Sequence, residues 1–547
     1  MIKKHQLNII VFGVILVLSI FMFGSNFQAK FSVIDDHNIV SLVGNDNNFS
    51  KNDVLSFLKN EQDFQIGSYG RFRPSLQVGR AIEMYLFEDN ALYYQIARFS
   101  LFVSLVFIFS VFIIQKVGVL YGSIISLILI SESAWRDIFT RIITSEIYTI
   151  YGLVVFIPAS IGIFNVIKNN VEYKSKIKLF TVAILYFVFG LLSIGSKENF
   201  IFMIVVPIVI LFWSYKSNNT DFFNRLINLI SIVLIGYGLF IATVMVMYFI
   251  NTNDDVTGYG LFTGGETLIK IAYNFIEMFF INWMAVLLIF PYLFLLVIKG
   301  NDKYDRIKKW SLQLYIYIFL LSLLLIFQVI YYTGSLPTGT RYDFPSIFFY
   351  SLYLILIVVF AEKVLPIFIC NKRYVKLAIL IPLILVFIAK NPIEGIIKTS
   401  DASYAHKERT KEFQSIIDNV VSVADREPTS AIIVNSFNVW DYELISSFYK
   451  YIRYRGIENP IYLKLYYEAS NYSTSVEHIF VKRLDSVSNG AGLINNLGWS
   501  PPDPIREWGY NPITEFNENS LECIAINIVK SNVNQCATTI VFKYNGP

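Results

Sequence analysis

The chain has 547 residues, of which 55% are hydrophobic, 16% are aromatic and only 16% are charged. Soluble proteins carry roughly 25% charged residues, so the composition excludes a soluble enzyme, and the hydrophobic content excludes a disordered chain. The net charge of +4 and the three cysteines give no basis for nucleic-acid binding, a cysteine-rich metal site or a disulfide scaffold.

Eleven apolar stretches predict an α-helical polytopic membrane protein with about 11 transmembrane helices, because about 20 apolar residues cross the hydrocarbon core as a helix. The stretches lie at 7–24, 92–114, 117–131, 146–167, 179–195, 199–214, 227–250, 272–298, 311–333, 344–361 and 375–390. Between 179–195 and 199–214 stands only Ser196-Lys197-Glu198, so one broken helix is the alternative there. The first stretch lacks a clear cleavage site and is interpreted as a retained helix rather than a signal peptide.

The distribution of lysine and arginine predicts the orientation. With the N-terminus inside, the inner loops hold most of these residues, as the positive-inside rule requires. The short outer loops keep only Arg136, Arg141, Lys197, Lys270 and Arg341. An abundance of Ile, Asn, Lys and Phe is typical of an AT-rich, bacterial genome. We therefore predict a multi-pass protein of the bacterial cytoplasmic (inner) membrane, with a cytoplasmic N-terminus and an extracytoplasmic C-terminus.

Two large segments are predicted outside the membrane: the first outer loop, 25–91, and the tail, 391–547. The tail has helical spacing at 403–424 and 440–456, and strand patterns at 431–437, 461–467, 523–529 and 537–544. The last two strands predict a hairpin, with Cys523 and Cys536 placed to pair in an oxidising compartment and Cys370 left as an inner free thiol. The predicted domains are thus a transmembrane domain, 1–390, and an extracytoplasmic α/β domain, 391–547.

Acidic and basic residues concentrate in the first outer loop. Asp35 and Asp36 come about ten residues after the first predicted helix, and Arg71, Arg73 and Arg80 follow near its end. A carboxylate can remove a proton from an acceptor hydroxyl, and guanidinium groups bind phosphate in a bidentate way. The structural alternative is that the two aspartates cap a turn and the arginines contact anionic lipid headgroups.

The same loop contains a predicted amphipathic helix. Ser50 and Asp53 have the spacing of a capping box. Val54, Leu55, Phe57 and Leu58 follow as its apolar residues. A helix of this kind is expected to lie in the plane of the membrane interface.

The later outer loops contribute further candidates for substrate binding. An unpaired carboxylate at the mouth of a membrane helix is costly, so Glu146 is expected to have a cationic partner, and Arg141 is placed to pair with it or with Asp137. The alternatives are interfacial ion pairs, a snorkelling lysine and an interfacial Arg-Tyr anchor. The candidates are Arg141, Glu146, Lys197, Arg341 and Tyr342.

In their order and spacing, several short motifs resemble the GT-C superfamily of integral-membrane glycosyltransferases. An acidic "DD" pair follows the first helix, "GRFRP" precedes the second and "RIITSE" opens the fourth. An "SKE" turn and an "RY" turn come later. The resemblance covers roughly 1–360 and is closest to the protein O-mannosyltransferase, lipid A aminoarabinose transferase and O-antigen glucosyltransferase branches. The mannosyltransferase branch usually has Asp-Glu where this chain has Asp-Asp-His.

The resemblance implies an inverting transfer from a polyprenyl-phosphate-linked sugar to an acceptor hydroxyl at the outer face of the membrane. Asp35 is then the general base, with Asp36 as the alternative, and Glu146 orients the sugar or the acceptor. The candidates to hold the departing phosphate are Arg71, Arg73, Lys197 and Arg341. Arg141 and Tyr342 complete the predicted substrate-binding set.

The resemblance also defines the expected partners: the lipid-linked donor, a glycan, lipid or protein acceptor, membrane lipid, and no nucleic acid. No cofactor is predicted; paired aspartates can bind a divalent cation, but the ligand set is incomplete. The alternatives are an O-antigen polymerase or ligase and a non-enzymatic transporter or flippase. The former place their working arginines in a large late loop, and the latter bury charges mid-membrane, whereas here the first outer loop is largest and most charges lie at loop ends.

Overall fold

The computed structural model of the protein describes much of the chain, with gaps. The described ranges are 4–32, 50–60, 72–169, 176–217, 222–251, 309–314, 316–318, 347–369, 371–426, 431–436, 442–459, 461–467, 478–483, 523–529 and 538–544, with 36, 39–40, 269, 273, 307, 341, 344 and 428. Outside them lie all of the predicted span 272–298 except Tyr273, most of the span 311–333, Cys370 and Cys536.

Apolar helices dominate the first 390 residues. Within the described ranges, seven helices are long and apolar enough to cross a membrane. The chain is therefore a helical membrane protein, whereas the count of eleven spans stays a prediction. The helices are α1 Lys4–Phe23, α2 Lys51–Asn60, α3 Pro74–Phe87, α4 Ala91–Ile130, α5 Ala134–Thr140, α6 Ser145–Asn169, α7 Lys176–Gly195, α8 Val205–Ser217, α9 Phe222–Asn251, α10 Ile347–Phe368 and α11 Lys372–Lys390.

The long helix α4 is folded back on itself. Gly118 has non-helical backbone angles (φ 82°, ψ 169°). A Cβ added to Gly122 would lie 2.7 Å from the Cα of Ile114, although eight residues of straight helix span about 12 Å. The chain therefore turns back at Gly118, close to where the sequence separates the stretches 92–114 and 117–131, and the two arms of α4 run antiparallel.

The chain also reverses after α7. Lys197 is extended (φ −151°, ψ 139°), and a 3₁₀ helix, Glu198–Ile204, leads into α8. The ring of Trp213 lies 5.6 Å from the ring of Phe164, and Val182 approaches Gly162. The C-terminal end of α8 and the N-terminal end of α7 therefore lie beside the same part of α6. The stretches 179–195 and 199–214 form a hairpin, not one broken helix.

The start of α2 has the predicted capping box. The Ser50 backbone N–H donates to Oδ2 of Asp53 at 2.8 Å, and the Asp53 N–H donates to Oγ of Ser50 at 3.3 Å. Hydrogen bonds from Ser50 lower the pKa of the Asp53 carboxyl below its usual value. Phe57 is buried and Val54 and Leu58 are partly buried, whereas Leu55, which is also predicted among the apolar residues of this helix, is exposed.

The helices α6 and α7 approach each other closely at a glycine. A Cβ on Gly152 would lie 2.5 Å from the backbone nitrogen of Ser193 and 2.8 Å from its Cα. No side chain fits at this separation without a shift of one helix backbone.

We expect Gly152→Val to destabilise the protein by about 1–3 kcal/mol, because an overpacked core moves the backbone. The matched control is Gly236→Ala, since a Cβ on Gly236 meets nothing within 4 Å. Thermal unfolding of both purified variants in detergent measures the difference. Equal unfolding temperatures for Gly152→Val and the wild-type protein would contradict this packing.

A long polar helix connects the bundle to the tail. Asn391 is left-handed (φ 43°, ψ 60°) between α11 and α12, Pro392–Arg426. Ser403 of α12 donates to Oδ1 of Asn26 at 2.8 Å, and Oγ1 of Thr410 accepts the Lys30 N–H at 3.0 Å. The segment 26–30 after α1 is thereby fixed along α12.

The tail contains a five-stranded mixed sheet in the order β3-β2-β1-β4-β5. The central strand β1 is parallel to β2 and β4, with Ile432 opposite Ile461 and Ile524, and the outer strands are antiparallel. One helix connects β1 to β2, and after it Gly456 is left-handed (φ 77°). These elements are β1 Ala431–Ser436, α13 Tyr442–Tyr454, β2 Ile461–Tyr467, β3 His478–Arg483, β4 Cys523–Val529 and β5 Thr538–Tyr544.

The tail shares a hydrophobic core with the segment predicted as the first outer loop, 25–91. Ile432 and Ile452 belong to the same buried cluster as Phe31, Ile39 and Tyr94. Tyr451 of α13 donates to the carbonyl oxygen of Ser32 at 3.1 Å. The sheet therefore packs on the end of the bundle at which α1 ends and α4 begins. We call this end the loop end.

Candidate functional site

Helix α3 presents a polar face to the bundle. Gln77, Arg80 and Glu83 are all buried, and their spacing of three residues places them on one side of the helix. This helix lies within the predicted first outer loop, ahead of the second predicted span, and was not itself predicted. The sequence feature that indicates the start of α3 is Pro74, because proline is favoured at the first position of a helix.

A buried ion pair joins α3 to α4 and α6. The two Nη atoms of Arg98 bind the carboxylate of Glu83, one of them at 2.6 Å, and Nε donates to the Ile142 carbonyl at 2.8 Å. Tyr148 donates to Oε2 of Glu83 at 2.7 Å, and Tyr151 accepts from Arg98 at 3.1 Å. A bidentate pair with these additional hydrogen bonds fixes the position of α3 relative to α4 and α6. The sequence signal was an arginine inside the apolar stretch 92–114.

Arg80 and Gln95 are buried with unused hydrogen-bonding groups. Arg80 is 8% exposed, and its Nη1 donates to Oε1 of Gln77 at 3.2 Å. Its Nε and Nη2, and both amide atoms of Gln95, have no hydrogen-bond partner among the described residues. The Arg80 guanidinium lies over the ring of Phe57, 5.7 Å from its centroid. A desolvated guanidinium group is costly unless its donors are used, so Arg80 is a candidate to bind an anionic ligand.

A second buried pair links α6 to the turn after α7. Nζ of Lys197 binds Oε1 of Glu146, and the two side chains are 3% and 2% exposed. Arg141 pairs with Asp137 at 3.0 Å rather than with Glu146. The backbone N–H of Arg341 donates to the other oxygen of Asp137 at 3.1 Å, and the Arg341 guanidinium also interacts electrostatically with Glu146.

The remaining predicted residues are placed as follows. Asp36 is buried, and its Oδ2 accepts the Ser32 N–H at 2.7 Å. Arg73 immediately precedes α3 and is half-buried. Ser75 contacts the hydroxyl of Tyr237 at 2.7 Å, and a Cβ on Gly195 would clash with both, so the start of α3 adjoins the Lys197 turn. Asp35, Arg71 and Tyr342 lie outside the described residues.

The loop end thus brings together Glu146, Lys197, Arg341, Asp137 and Arg141 in one group. Glu83 and Arg98 form a second group with Arg80, which lies one turn earlier on α3. Asp36 adjoins this group through the segment that contains Phe31, whose ring lies 5.9 Å from the ring of Tyr94, and the Arg98 guanidinium lies over that tyrosine. The segment 141–148 connects the two groups, because Ile142 bonds Arg98 and Glu146 bonds Lys197. Fixed cations of this kind stabilise negative charge that develops on a bound group.

Among the described residues, no group of three or more His, Cys, Asp or Glu side chains is arranged to hold a metal ion. No model of a protein family, no curated protein and no solved structure matches this chain. Its function must therefore be inferred from the residues gathered at the loop end.

Proposed function

We propose that the protein is an inverting glycosyltransferase of the GT-C type, which moves a sugar from a polyprenyl-phosphate carrier to an acceptor hydroxyl in the modification of cell-surface glycans. The proposal includes eleven spans, a cytoplasmic N-terminus and an α/β tail outside the cytoplasmic membrane. It places the loop end at the outer face, where sugar nucleotides are not supplied and a lipid-linked donor is required.

One observation carries the proposal. Polar residues from distant parts of the chain lie together at one end of an apolar bundle, and they include a buried guanidinium group with unused donors. Arg80 comes from the first outer loop, Glu146 and Lys197 from two later turns, and Arg341 from the turn before α10. Transfer from a lipid phosphate requires cations at a site with access to both membrane and water.

Each residue has a proposed role. Asp35 is the general base, and Asp36 positions it, because the Asp36 carboxylate holds the Ser32 N–H in the adjoining turn. Arg80 joins Arg71, Arg73, Lys197 and Arg341 as a group that stabilises the departing phosphate. Glu146 fixes the ammonium of Lys197, a positioning role that differs from the sugar-orienting role implied by the family resemblance. Arg141 and Tyr342 contact substrate.

The test is deletion of the gene in the source organism, followed by mass spectrometry of its surface glycans. We expect loss of one sugar substituent and its restoration by the wild-type gene, but not by a gene encoding Asp35→Asn. Unchanged surface glycans after deletion would contradict a transferase function.

We expect Arg80→Gln to raise the KM for the lipid-linked donor by roughly 10- to 100-fold, because a hydrogen bond to a charged group contributes about 1.5–3 kcal/mol. Arg80→Lys should be impaired as well, because an ammonium group lacks the planar, bidentate geometry. The matched control is Arg409→Gln on the exposed side of α12. Equal donor KM values for Arg80→Gln and Arg409→Gln would remove Arg80 from the site.

The proposed sidedness predicts that alkaline phosphatase fused after Lys390 is active, because this enzyme matures only outside the cytoplasm. A fusion within the inner loop that contains Lys363 and Lys372 should be inactive. The activity of both fusions is normalised to their amount in the membrane. The reverse pattern would place the loop end in the cytoplasm and exclude a lipid-linked donor at that face.

A further inference from the structure

A cavity of about 500 Å³ lies where the first outer loop meets the tail. One wall is the segment 27–31, another is the turn 89–92 between α3 and α4, and the third comes from α12 and α13. Small-molecule sites occupy about 300–1,000 Å³ and often lie between structural units. The cavity is separate from the Glu83–Arg98 and Glu146–Lys197 pairs, none of which lines it.

The walls combine flat rings with amide groups. Phe31, Tyr451 and Tyr454 supply aromatic surface, and Gln28 and Gln414 supply paired donors and acceptors. Aromatic faces pack against apolar C–H surfaces, while amide groups hydrogen-bond hydroxyls in either direction. A pyranose ring presents this combination, with C–H groups on its faces and hydroxyls around its edge.

Two of the charged groups that line the cavity have hydrogen-bonding partners within the protein. Arg455 pairs with Asp418 at 2.6 Å, and Asp89 accepts the hydroxyl hydrogen of Tyr454 at 2.9 Å. Lys30 and the carboxylate of Asp89 also line the cavity, and a ligand with several hydroxyl groups can accept from the ammonium group and donate to the carboxylate.

Two hydrogen bonds connect the cavity to Asp36. Tyr451, which lines the cavity, donates to the Ser32 carbonyl at 3.1 Å, and the Ser32 N–H donates to Asp36 at 2.7 Å. A ligand bound against Tyr451 therefore lies close to Asp36, the residue that follows the proposed base in the sequence. An acceptor hydroxyl must reach the general base, so this position suits an acceptor.

We propose that the cavity binds a saccharide, and that this saccharide is the acceptor of the transfer. The acceptor role rests on the proposed function, whereas saccharide binding does not. Recognition by rings and amides from both the first outer loop and the tail explains why the tail packs against that loop: the two together form the binding surface.

The test is binding of the purified, fluorescently labelled full-length protein in detergent to an array of bacterial surface oligosaccharides. We expect wild-type protein to bind at least one glycan, and Tyr454→Ala and Gln414→Ala each to weaken that binding about tenfold, the loss of one stacking or hydrogen-bonding contact. The matched controls are Tyr404→Ala and Ser415→Ala, exposed positions on α12, which should bind like wild type.

Binding to no glycan on the array, or glycan binding that both cavity variants retain in full, would overturn the proposal. Asp35→Asn provides the link to the proposed function, since it should bind the same glycan without transferring sugar. Glycan binding in a protein that transfers nothing, and whose deletion leaves surface glycans unchanged, would disprove the transferase function and leave the saccharide site standing.

Discussion

Replacement of Asp35 by asparagine is expected to lower the rate of sugar transfer by about 10²- to 10⁴-fold, the usual contribution of a general base. Asparagine keeps the size of the side chain and removes only its ability to accept a proton. Expression and membrane insertion should be unchanged. The measurement is transfer from lipid-linked donor in membranes that contain equal amounts of wild-type and variant protein.

Asp36→Asn is the matched control for this variant. The amide oxygen of asparagine can still accept the Ser32 N–H, which now bonds Asp36 at 2.7 Å. The turn should persist, and the variant should retain far more activity than Asp35→Asn. Full activity in Asp35→Asn together with loss in Asp36→Asn would transfer the role of base to Asp36.

Arg98→Met is expected to destabilise the protein by about 3–5 kcal/mol, because it leaves Glu83 as an uncompensated charge in the bundle. Glu83→Gln should also be destabilising. The double variant Glu83→Gln/Arg98→Met should recover much of the loss, because removal of both charges leaves neither unpaired. Unfolding by sodium dodecyl sulfate in mixed micelles measures the free energy of unfolding of each variant.

The matched control is Arg373→Met, since Arg373 is exposed at the start of α11 and should contribute little. If Arg98→Met and Arg373→Met have equal stabilities, the buried pair does not hold α3 against α4. If the double variant is no more stable than either single variant, the two side chains are not energetically coupled.

The sequence predicts much of the helical framework because hydrophobicity is a local property. The separation of the stretches 92–114 and 117–131 corresponds to the reversal at Gly118, and the Ser50–Asp53 spacing corresponds to the observed capping box. Helix α3 was not predicted, because the apolar residues of "GRFRPSLQVGR" are interrupted by charges, of which Arg80 is buried in the bundle rather than exposed to water.

The partners of the charged residues could not be predicted from the sequence. Glu146 had a nearby candidate in Arg141, but it binds Lys197, 51 residues away, because the hairpin of α7 and α8 returns its turn to the start of α6. Arg98 was overlooked for the same reason, since its partner Glu83 belongs to a helix that was not predicted. Local patterns identify charged residues, whereas the tertiary contacts decide which of them pair.

The predicted division of the chain into two domains at residue 390 likewise rests only on local sequence patterns. The pattern of helices and strands predicts a tail with its own α/β arrangement. In the structure, Ile432 and Ile452 of the tail share a buried cluster with Phe31 and Ile39 of the first outer loop. A composition shift marks the end of the apolar helices but carries no information about the surface on which the tail packs.

The central claim is most directly tested by turnover of a lipid-linked sugar in proteoliposomes that contain the purified protein. The donor is the radiolabelled polyprenyl-phosphate sugar fraction from membranes of the source organism, with its surface glycan as acceptor. We predict that wild-type protein transfers the label with inversion at the anomeric carbon and that Asp35→Asn does not. Lipid-linked label that the wild-type protein leaves unconsumed, or equal transfer by Asp35→Asn, would contradict the account.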